Sequence, residues 1–319
     1  MKKIEIIVNN KPVIKKRFWS DRDIQLVVMA SLSVVFLAVF AYLPMSGILF
    51  AFKDGNKSLN ILRAMFDAPW TLNNFKVLFI DREFWGVFEN TLYINLLLLL
   101  FNFPMPILFA LLLNEVRHKR FKKAVQTISN FPHFLSWVVF GGIVLMLTNS
   151  RVGIVNPILD FFGLSSPEKP VDLNMAQYFY PKLIISTIIK GVGWGSIIYM
   201  AAIAGIDQTM YEAAVIDGAN RFQRAVKITL PSILPTIMVF LLLNIASLMG
   251  NSFEQFYVFE TVANLSRTRV LATYMYTLAF TYRNYATATA LSLFEGLISL
   301  FLLVSANFVA KKITGQGIY

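Results

Sequence analysis

Few residues of this chain belong to the types that carry out covalent or metal chemistry. Cysteine is absent, and two histidines occur, His118 and His133. Disulfide bonds, thiolate catalysis and metal sites built from cysteine or from several histidines are therefore excluded. No group of carboxylates or histidines falls at one depth of an apolar segment, as an enzyme embedded in a membrane would need. We assign no role to either histidine and expect no enzyme activity.

Two charged residues lie inside apolar segments, where a charge is costly unless it faces a cavity or a partner. Lys190 and Glu295 lie in different segments, seven to nine residues in from the same expected side of the membrane. Both depths are roughly 10–14 Å at the helical rise. Three alternatives stay open: an ion pair between the two, contact of either with a substrate, and snorkelling of the Lys190 ammonium toward the surface.

Other polar and aromatic residues could contact a substrate inside the membrane. Asn244, Ser247 and Asn251 follow an i, i+3, i+7 spacing, which predicts one shared helix face. Such groups could bind carbohydrate hydroxyls, with Trp194 and Tyr199 covering the C–H faces of sugar rings. Hydrogen bonding between helices is the alternative for any single asparagine. The pathway candidates are Lys190, Trp194, Tyr199, Asn244, Ser247, Asn251, Glu254 and Glu295, followed by Asn95, Asn102 and Gln255.

The elements that must position these residues are membrane-spanning helices. The chain has 319 residues, of which 56% are hydrophobic and 15% charged, whereas an ordinary soluble domain has about 25% charged residues. Apolar runs near 20 residues long are typical of transmembrane helices. We predict an all-α integral membrane protein with six spans, at about 25–50, 90–113, 125–147, 183–205, 231–250 and 286–310.

The net charge of +11 indicates membrane topology rather than a nucleic-acid partner. Seventeen of the 29 Lys and Arg residues lie in the two tails and in the loops 115–124 and 206–230. Eleven lie in the three longer loops on the opposite side. The positive-inside rule therefore predicts that both termini are cytoplasmic. A transmembrane domain, 25–310, then lies between a basic tail, 1–24, and a short tail, 311–319.

The three long outer loops are rich in tryptophan, tyrosine and phenylalanine. An aromatic belt at the membrane interface is one interpretation of this composition. A docking platform for an external partner, or stacking faces for a sugar, is the other. The aromatic residues concerned are Trp70, Trp85, Tyr178, Phe179, Tyr180, Phe253, Phe256 and Tyr257.

The loop 206–230 is the most informative segment, although it is only weakly basic. Its sequence predicts two short helices joined at Gly218, because glycine permits a left-handed turn. Asp207 or Thr209 can cap the first helix. The small residues Ala213–Ala214 allow another protein to approach closely. We interpret the loop as a docking surface for a partner protein.

Residues 211–231 resemble the EAA loop of the permease subunits of binding-protein-dependent ABC importers, whose pattern is E-A-A-x3-G-x9-I-x-L-P. The loop also lies between the fourth and fifth spans, as in the six-span sugar permeases of that family. The lead-in departs from the family, since Ile206 is followed by Asp207 and not by proline. Every fixed position of the pattern is matched without a gap, by Glu212, Ala213, Ala214, Gly218, Ile228, Leu230 and Pro231.

Two other stretches resemble the same family. Asn90-Thr91-Leu92 is similar to the start of the permease core, and residues 153–163 are similar to its G-x-[IV]-N-x-x-L-x-x-x-G segment. The resemblance covers about residues 80–310. It is strongest to the polysaccharide and oligosaccharide subgroup, which includes the maltose-type and alginate-type inner-membrane permeases.

The resemblance implies a type I ABC importer permease in a bacterial cytoplasmic membrane. Its partners would be a second, related permease chain, two ATP-binding subunits, an extracytoplasmic solute-binding protein, an oligosaccharide and membrane lipid. ATP and Mg would bind the partner ATPases, and no cofactor would bind this chain, which has no G-x4-G-K-[ST] loop. Glu212 would make the polar contact with the ATPase and Gly218 would hold the bend. The coupling residues implied are Glu212, Ala213, Ala214, Asp217, Gly218, Ile228, Leu230 and Pro231.

The sequence leaves several alternative functions and substrates open. The same machine could carry a non-sugar solute, and a channel or secondary transporter is a rival that leaves the EAA loop unexplained. A cationic pathway at Lys190 would favour acidic oligosaccharides. The glycines of Gly191-Val-Gly-Trp-Gly195 lie in an apolar span, so we expect close helix packing there rather than a phosphate loop.

Overall fold

The structure, a computed structural model, describes residues 6–8, 11–13, 20–54, 66–166, 168–250 and 252–314. Nearly all of the described elements are helices. The exception is a hairpin in the N-terminal tail, Ile6–Val8 paired antiparallel with Lys11–Val13, which the hydropathy pattern does not predict. Most of the expected 1–24 tail lies outside the described residues, as does 315–319 of the C-terminal tail.

Four helices are long and apolar enough to cross a membrane without a break. These are Asp21–Phe52, Arg82–Glu115, Ala176–Ala204 and Tyr285–Lys312. They correspond to the first, second, fourth and sixth predicted spans, and each extends beyond the predicted bounds in at least one direction. A membrane helix extends beyond its apolar run because polar residues such as Ser20 and Asp81 cap it outside that run.

The third and fifth spans are broken, so two of the six predicted spans are pairs of helices rather than single helices. Lys119–Phe134 meets Trp137–Leu147 at a bend of 104°, and Arg221–Ser232 meets Leu234–Ala246 at a bend of 63°. Prolines stand at both breaks, at Pro132 and Pro235, and proline cannot donate the backbone hydrogen bond that a straight helix needs. Counting each bent pair as one span restores six.

Short helices connect the spans. Gln208–Ile216 and Arg221–Arg224 form the loop that the sequence singles out. On the opposite side, the connections contain Asn73–Ile80, Val155–Phe161, Phe253–Phe259, Leu265–Thr268 and Leu271–Tyr276, the last continuing as Thr277–Thr281.

Four apolar clusters hold the described helices together. One joins the second and sixth spans around Phe84 and Leu291. Another joins Ile94 of the second span to Phe256 in the connection after the fifth. A third, around Tyr199, packs the fourth span against the second and fifth. The fourth, smaller cluster joins Phe50 at the end of the first span to Ala286 of the sixth. None of the residues in the most apolar stretch of the first span is buried within the chain.

Glycines bring the third and fourth spans into direct backbone contact. A Cβ on Gly193 would collide with the carbonyl of Ser129 and would lie 2.7 Å from the backbone nitrogen of Asn130. A Cβ on Gly195 would lie 3.0 Å from Pro106 of the second span. The prediction that this glycine cluster serves helix packing is confirmed for Gly193 and Gly195, whereas a Cβ on Gly191 would have no neighbour within 4 Å.

Candidate functional site

The helix Gln208–Ile216 is closed at both ends by local contacts. Asp207 caps it, because its carboxylate accepts a hydrogen bond from the backbone nitrogen of Thr209 at 2.9 Å. That backbone hydrogen bond, with one from the Thr209 side chain, lowers the pKa of Asp207. Of the two caps that the sequence allowed, the structure uses Asp207 and not Thr209.

Gly218 makes the turn that ends this helix. Its φ is +76°, in the left-handed region. The backbone nitrogens of Gly218 and Ala219 donate to the carbonyls of Val215 and Ala214, at 3.1 and 2.8 Å. This pair of hydrogen bonds is the Schellman arrangement, which satisfies the last carbonyls of a helix. The predicted bend at Gly218 is therefore present.

The second half of the loop is anchored to the spans. Asn220 and Gln223 form a reciprocal capping box at the start of Arg221–Arg224. The hydroxyls of Tyr211 and Thr229 are hydrogen bonded at 2.8 Å, which ties the first helix to the base of the fifth span. We call residues 207–230 the coupling hairpin.

The coupling hairpin presents an exposed surface with a charged centre and an apolar rim. Glu212, Ala213 and Asp217 are exposed. Ile216 and Phe222 flank them and are 86% and 76% exposed. Large apolar side chains so exposed on a loop indicate a contact surface rather than a packed one.

The other predicted coupling residues serve to fix the hairpin. Leu230 packs against the cluster around Ile203 and Ile233, and Ile228 is half-buried. Pro231 is exposed and lies two residues before the break at Ile233. Ala214 is half-buried, and Gly218 is exposed at the turn.

A cavity of about 620 Å³ lies between the second, fourth and fifth spans. Six of the predicted pathway residues meet there: Trp194, Tyr199, Asn244, Ser247, Asn95 and Asn102. Its lining is mostly apolar, with the polar groups of Asn95, Asn102, Thr187, Asn244 and Ser247. Ligand sites in proteins commonly combine an apolar wall with a few polar groups.

The polar groups that line this cavity differ in whether they have hydrogen-bond partners within the chain. The buried Oδ1 of Asn102 has no hydrogen-bond partner among the described residues. Asn95 is engaged, because its amide donates to the carbonyl of Leu248 at 2.7 Å. Thr187 is held by the amide of Gln255 at 2.8 Å. Asn95 and Asn102 are seven residues apart on one helix face, and this spacing is the signal that favours them over isolated asparagines.

The predicted polar face of the fifth span is shorter than expected. The helix ends at Ala246, where the backbone nitrogen of Ser247 donates to the carbonyl of Leu243. Asn244 and Ser247 still share the cavity. The i+7 prediction for Asn251 assumed a helix up to residue 250, and this assumption is wrong. Asn251 itself lies outside the described residues.

Trp194 stacks on a histidine that the sequence left without a role. The rings of His133 and Trp194 are parallel within 2°, with centroids 4.4 Å apart. Sixty-one residues separate them, and the bend in the third span brings them together. One face of Trp194 is therefore covered by His133, and the ring is still 49% exposed.

Lys190 does not line the cavity and does not pair with Glu295. Its Nζ donates to the carbonyls of Pro132 at 3.1 Å, His133 at 3.2 Å and Leu135, all at the break in the third span. It also lies over the ring of Trp137, 5.2 Å from the centroid. The ammonium satisfies carbonyls that the broken helix leaves free, which argues against a cationic pathway there. The effect of Lys190 on the choice of sugar stays a prediction.

The two glutamates among the candidates lie outside this cavity. Glu254 is exposed in the first turn of Phe253–Phe259 and lines no cavity that the structure describes. Glu295 lines a second cavity, on the sixth span. Neither ion pair formed between described residues involves Lys190 or Glu295.

Asparagines fix the connections opposite the coupling hairpin. Buried Asn156, in the segment 153–163, exchanges hydrogen bonds with the backbone of Val171, at 3.0 and 2.9 Å. The amide of Asn90 donates to the carbonyls of Arg267 and Arg269. Both residues belong to the stretches that resemble permeases, and their side chains hold loops in place.

An all-helical set of membrane spans with an internal cavity and an exposed, rigid hairpin defines the membrane-embedded subunit of a transporter. The chain belongs to the family of binding-protein-dependent transport system inner membrane components, whose family model matches residues 103–315. The resemblance carried by the EAA loop is thereby confirmed.

Curated relatives match along most of the chain. Protein LplB of Bacillus subtilis (strain 168) is 37% identical over 299 residues, covering 93% of this chain and 92% of the relative. The polygalacturonan/rhamnogalacturonan transport system permease protein YteP of the same organism is 38% identical over 286 residues, covering 89% of this chain and 87% of the relative.

Two solved structures share the fold, each with 36% identity and a TM-score of 0.82. One is a bacterial ABC transporter involved in the import of the acidic polysaccharide alginate, covering 92% of this chain and 97% of that chain. The other is the bacterial alginate ABC transporter in complex with an alginate pentasaccharide-bound periplasmic protein, covering 95% of this chain and 100% of that chain.

Proposed function

We propose that this chain is the permease subunit of an ATP-driven importer of oligosaccharides in a bacterial cytoplasmic membrane. The exposed coupling hairpin carries the proposal, because it combines the complete EAA spacing with a rigid frame. Membership of the permease family supports it, as does a relative whose name states transport of polygalacturonan and rhamnogalacturonan.

The coupling hairpin is proposed to insert into a groove on a separate ATPase subunit, which binds ATP and Mg. Glu212 and Asp217 supply charge at the centre of the contact, and Ile216 and Phe222 supply apolar surface around it. The anchoring contacts of Tyr211 and Leu230 carry a displacement of the hairpin to the fifth span.

The cavity beside Trp194 and Asn244 is proposed as this chain's part of the translocation pathway. It offers an aromatic face, hydroxyls and amides, which can exchange hydrogen bonds with sugar hydroxyls. A second, related permease chain would complete the pathway, and an extracytoplasmic solute-binding protein would deliver the sugar. Both termini are proposed to be cytoplasmic.

The coupling contact is tested by reversing its central charge. We expect the chain to co-purify with an ATPase, and Glu212→Arg to abolish uptake and the ATPase activity stimulated by the loaded binding protein. Glu168→Arg, at an exposed position in a connection on the opposite side, is the matched control and should keep both activities. Absence of any co-purifying ATPase, together with normal uptake by Glu212→Arg, would refute the importer.

A further inference from the structure

A second cavity, of about 740 Å³, lies against the sixth span and is separate from the one already described. Its other wall comes from the helix that contains Tyr276 and Phe280. Thr289, Ser292 and Ser299 line it from the sixth span, with Glu295 between them. These positions are spaced by three and four residues, so they form one polar stripe along the helix.

A ladder of aromatic rings stands beside this stripe. Phe253 lies 4.7 Å from Tyr276, Tyr276 lies 4.9 Å from Phe280, and Phe280 lies 6.4 Å from Tyr285, measured between ring centroids. All four rings line the cavity. Phe280 is 64% exposed, so its face is not covered by the rest of the chain.

Glu295 is the one carboxylate, and no cationic side chain occurs, among the described residues that line this cavity. It takes part in neither of the ion pairs between described residues. A carboxylate here can accept hydrogen bonds from hydroxyl groups, whereas a second carboxylate beside it would be repelled in a region of low dielectric.

The two cavities adjoin at one glycine. Gly250 lines the first cavity, and a Cβ added to it would lie 3.8 Å from Oε1 of Glu295 in the second. Only the backbone of this glycine separates them at that point. The second cavity therefore lies beside the cavity that Asn244 and Ser247 line.

We propose that the second cavity is an additional sugar subsite, which binds a neutral, hydroxyl-rich unit and disfavours a uronate unit. The aromatic ladder would cover the C–H faces of the sugar, and Glu295 would accept its hydroxyls. This inference rests on the proposed function, because it places the subsite next to the proposed pathway. It names Glu295 as a residue that determines specificity.

The absence of cysteine in this chain makes single-cysteine labelling a direct test. Ser292→Cys lies one turn from Glu295, and Ser247→Cys in the first cavity has no charged residue in its lining. In the assembled complex, the ratio of labelling rates with cationic and anionic methanethiosulfonate reagents should be about tenfold higher at Ser292→Cys than at Ser247→Cys. Adding Glu295→Gln should remove that difference, whereas Glu254→Gln, a carboxylate outside the cavity, should keep it.

Protection by sugars identifies the occupant. Maltotriose should slow labelling of Ser292→Cys at least several-fold, trigalacturonate should slow it less, and Glu295→Gln should make the two sugars equal. If Ser292→Cys is unreactive in the complex, the partner permease fills the cavity and the proposal is overturned. Equal protection of Ser292→Cys by the two sugars, in the protein that keeps Glu295, would also overturn it. If either of these results is found in a complex that still binds its ATPase and stimulates ATP hydrolysis, the subsite is refuted but the proposed function is not.

Discussion

Lys190 uses a buried charge to stabilise a break in a neighbouring helix. The carbonyls of Pro132, His133 and Leu135 lack partners within their own helix because the third span changes direction there. An ammonium has three donors and can satisfy all three acceptors at once. The lysine therefore helps to set the bend, and through the bend the position of the His133–Trp194 stack.

We expect Lys190→Met to destabilise the protein by about 3 kcal/mol, since three buried carbonyls lose a charged donor. The measurement is the melting temperature of the purified complex. Lys76→Met, at an exposed position on the helix Asn73–Ile80, is the matched control and should change little. Normal melting with a selective loss of uptake in Lys190→Met would mean that Lys190 acts on the substrate instead.

Glu260 predicts a pH dependence of stability. Burial raises its pKa, although the charge of Arg269 and a hydrogen bond with Thr273 act in the opposite direction. The folded state therefore binds the proton of Glu260 more tightly than the unfolded state does. The stabilisation contributed by the protonated carboxyl is complete below the unfolded-state pKa and is lost as pH rises through the folded-state pKa.

Glu260→Gln should therefore be more stable, relative to the wild type, at pH 7 than at pH 4.5. Melting temperatures measured at both pH values give the comparison. Glu168→Gln, an exposed glutamate, should show no such difference. If the difference in melting temperature between Glu260→Gln and the wild type is the same at both pH values, the raised pKa of Glu260 is contradicted.

At the scale of elements, the crossing of the third and fourth spans depends on one glycine out of three. Gly193 meets the backbone of Ser129 and Asn130, whereas a Cβ on Gly191 would have no neighbour within 4 Å. We expect Gly193→Ala to cost about 1–3 kcal/mol through overpacking. Gly191→Ala should be neutral or slightly stabilising, because alanine favours a helix. The melting temperatures of the two variants check this expected difference in stability. Equal melting temperatures would show that the third and fourth spans can move apart at no cost in stability.

The turn of the coupling hairpin gives a second prediction at this scale. Gly218→Ala places a Cβ in the left-handed region, at a cost of about 1–2 kcal/mol. We expect lower ATPase stimulation by the loaded binding protein, with assembly of the complex retained. Gly86→Ala, in open space on the second span, is the control. Unchanged stimulation would mean that the ATPase groove itself imposes the shape of the turn.

The sequence is sufficient for the coupling hairpin because its determinants are local. Asp207, Gly218 and Asn220 are cap and turn residues whose effect reaches only a few positions along the chain. The bends in the third and fifth spans are different. Pro132 and Pro235 mark where a helix can break, but the direction of the chain after Leu135 depends on Lys190, more than fifty residues away.

The pathway candidates also differ in whether their positions depend on nearby residues or on residues far away in the sequence. Helical spacing brings Trp194 and Asn244 to one cavity, since each lies on a regular part of a span, and Ser247 follows directly after the helix end. Helical spacing alone does not predict whether a buried charge faces a cavity or a carbonyl. Lys190 and Glu295 lie at similar depths by residue count, and their surroundings differ completely.

At the scale of the whole molecule, topology is the property that the distribution of positive charge predicts. Single-cysteine variants test it, because the native chain contributes no background. An impermeant thiol reagent applied to intact cells should label Ser166→Cys and should leave Gln208→Cys unlabelled until the membrane is opened. Both positions are exposed. Labelling of Gln208→Cys from outside would reverse the orientation and place the hairpin away from any ATPase.

The hydrogen bond between Tyr211 and Thr229 joins the coupling hairpin to the foot of the fifth span, just before the break at Ile233. The hairpin and the helix beyond the break therefore act as the two arms of a lever, with Ile233 as its fulcrum. Asn244 lies eleven residues along the far arm, so each degree of tilt moves it sideways by about 0.3 Å at the helical rise. A swing of about ten degrees displaces it by roughly 3 Å, the length of one hydrogen bond. The amide of Asn244 donates to the carbonyl of Phe240 on the same helix, so this hydrogen bond moves with the arm and the displacement changes which groups Asn244 faces across the cavity.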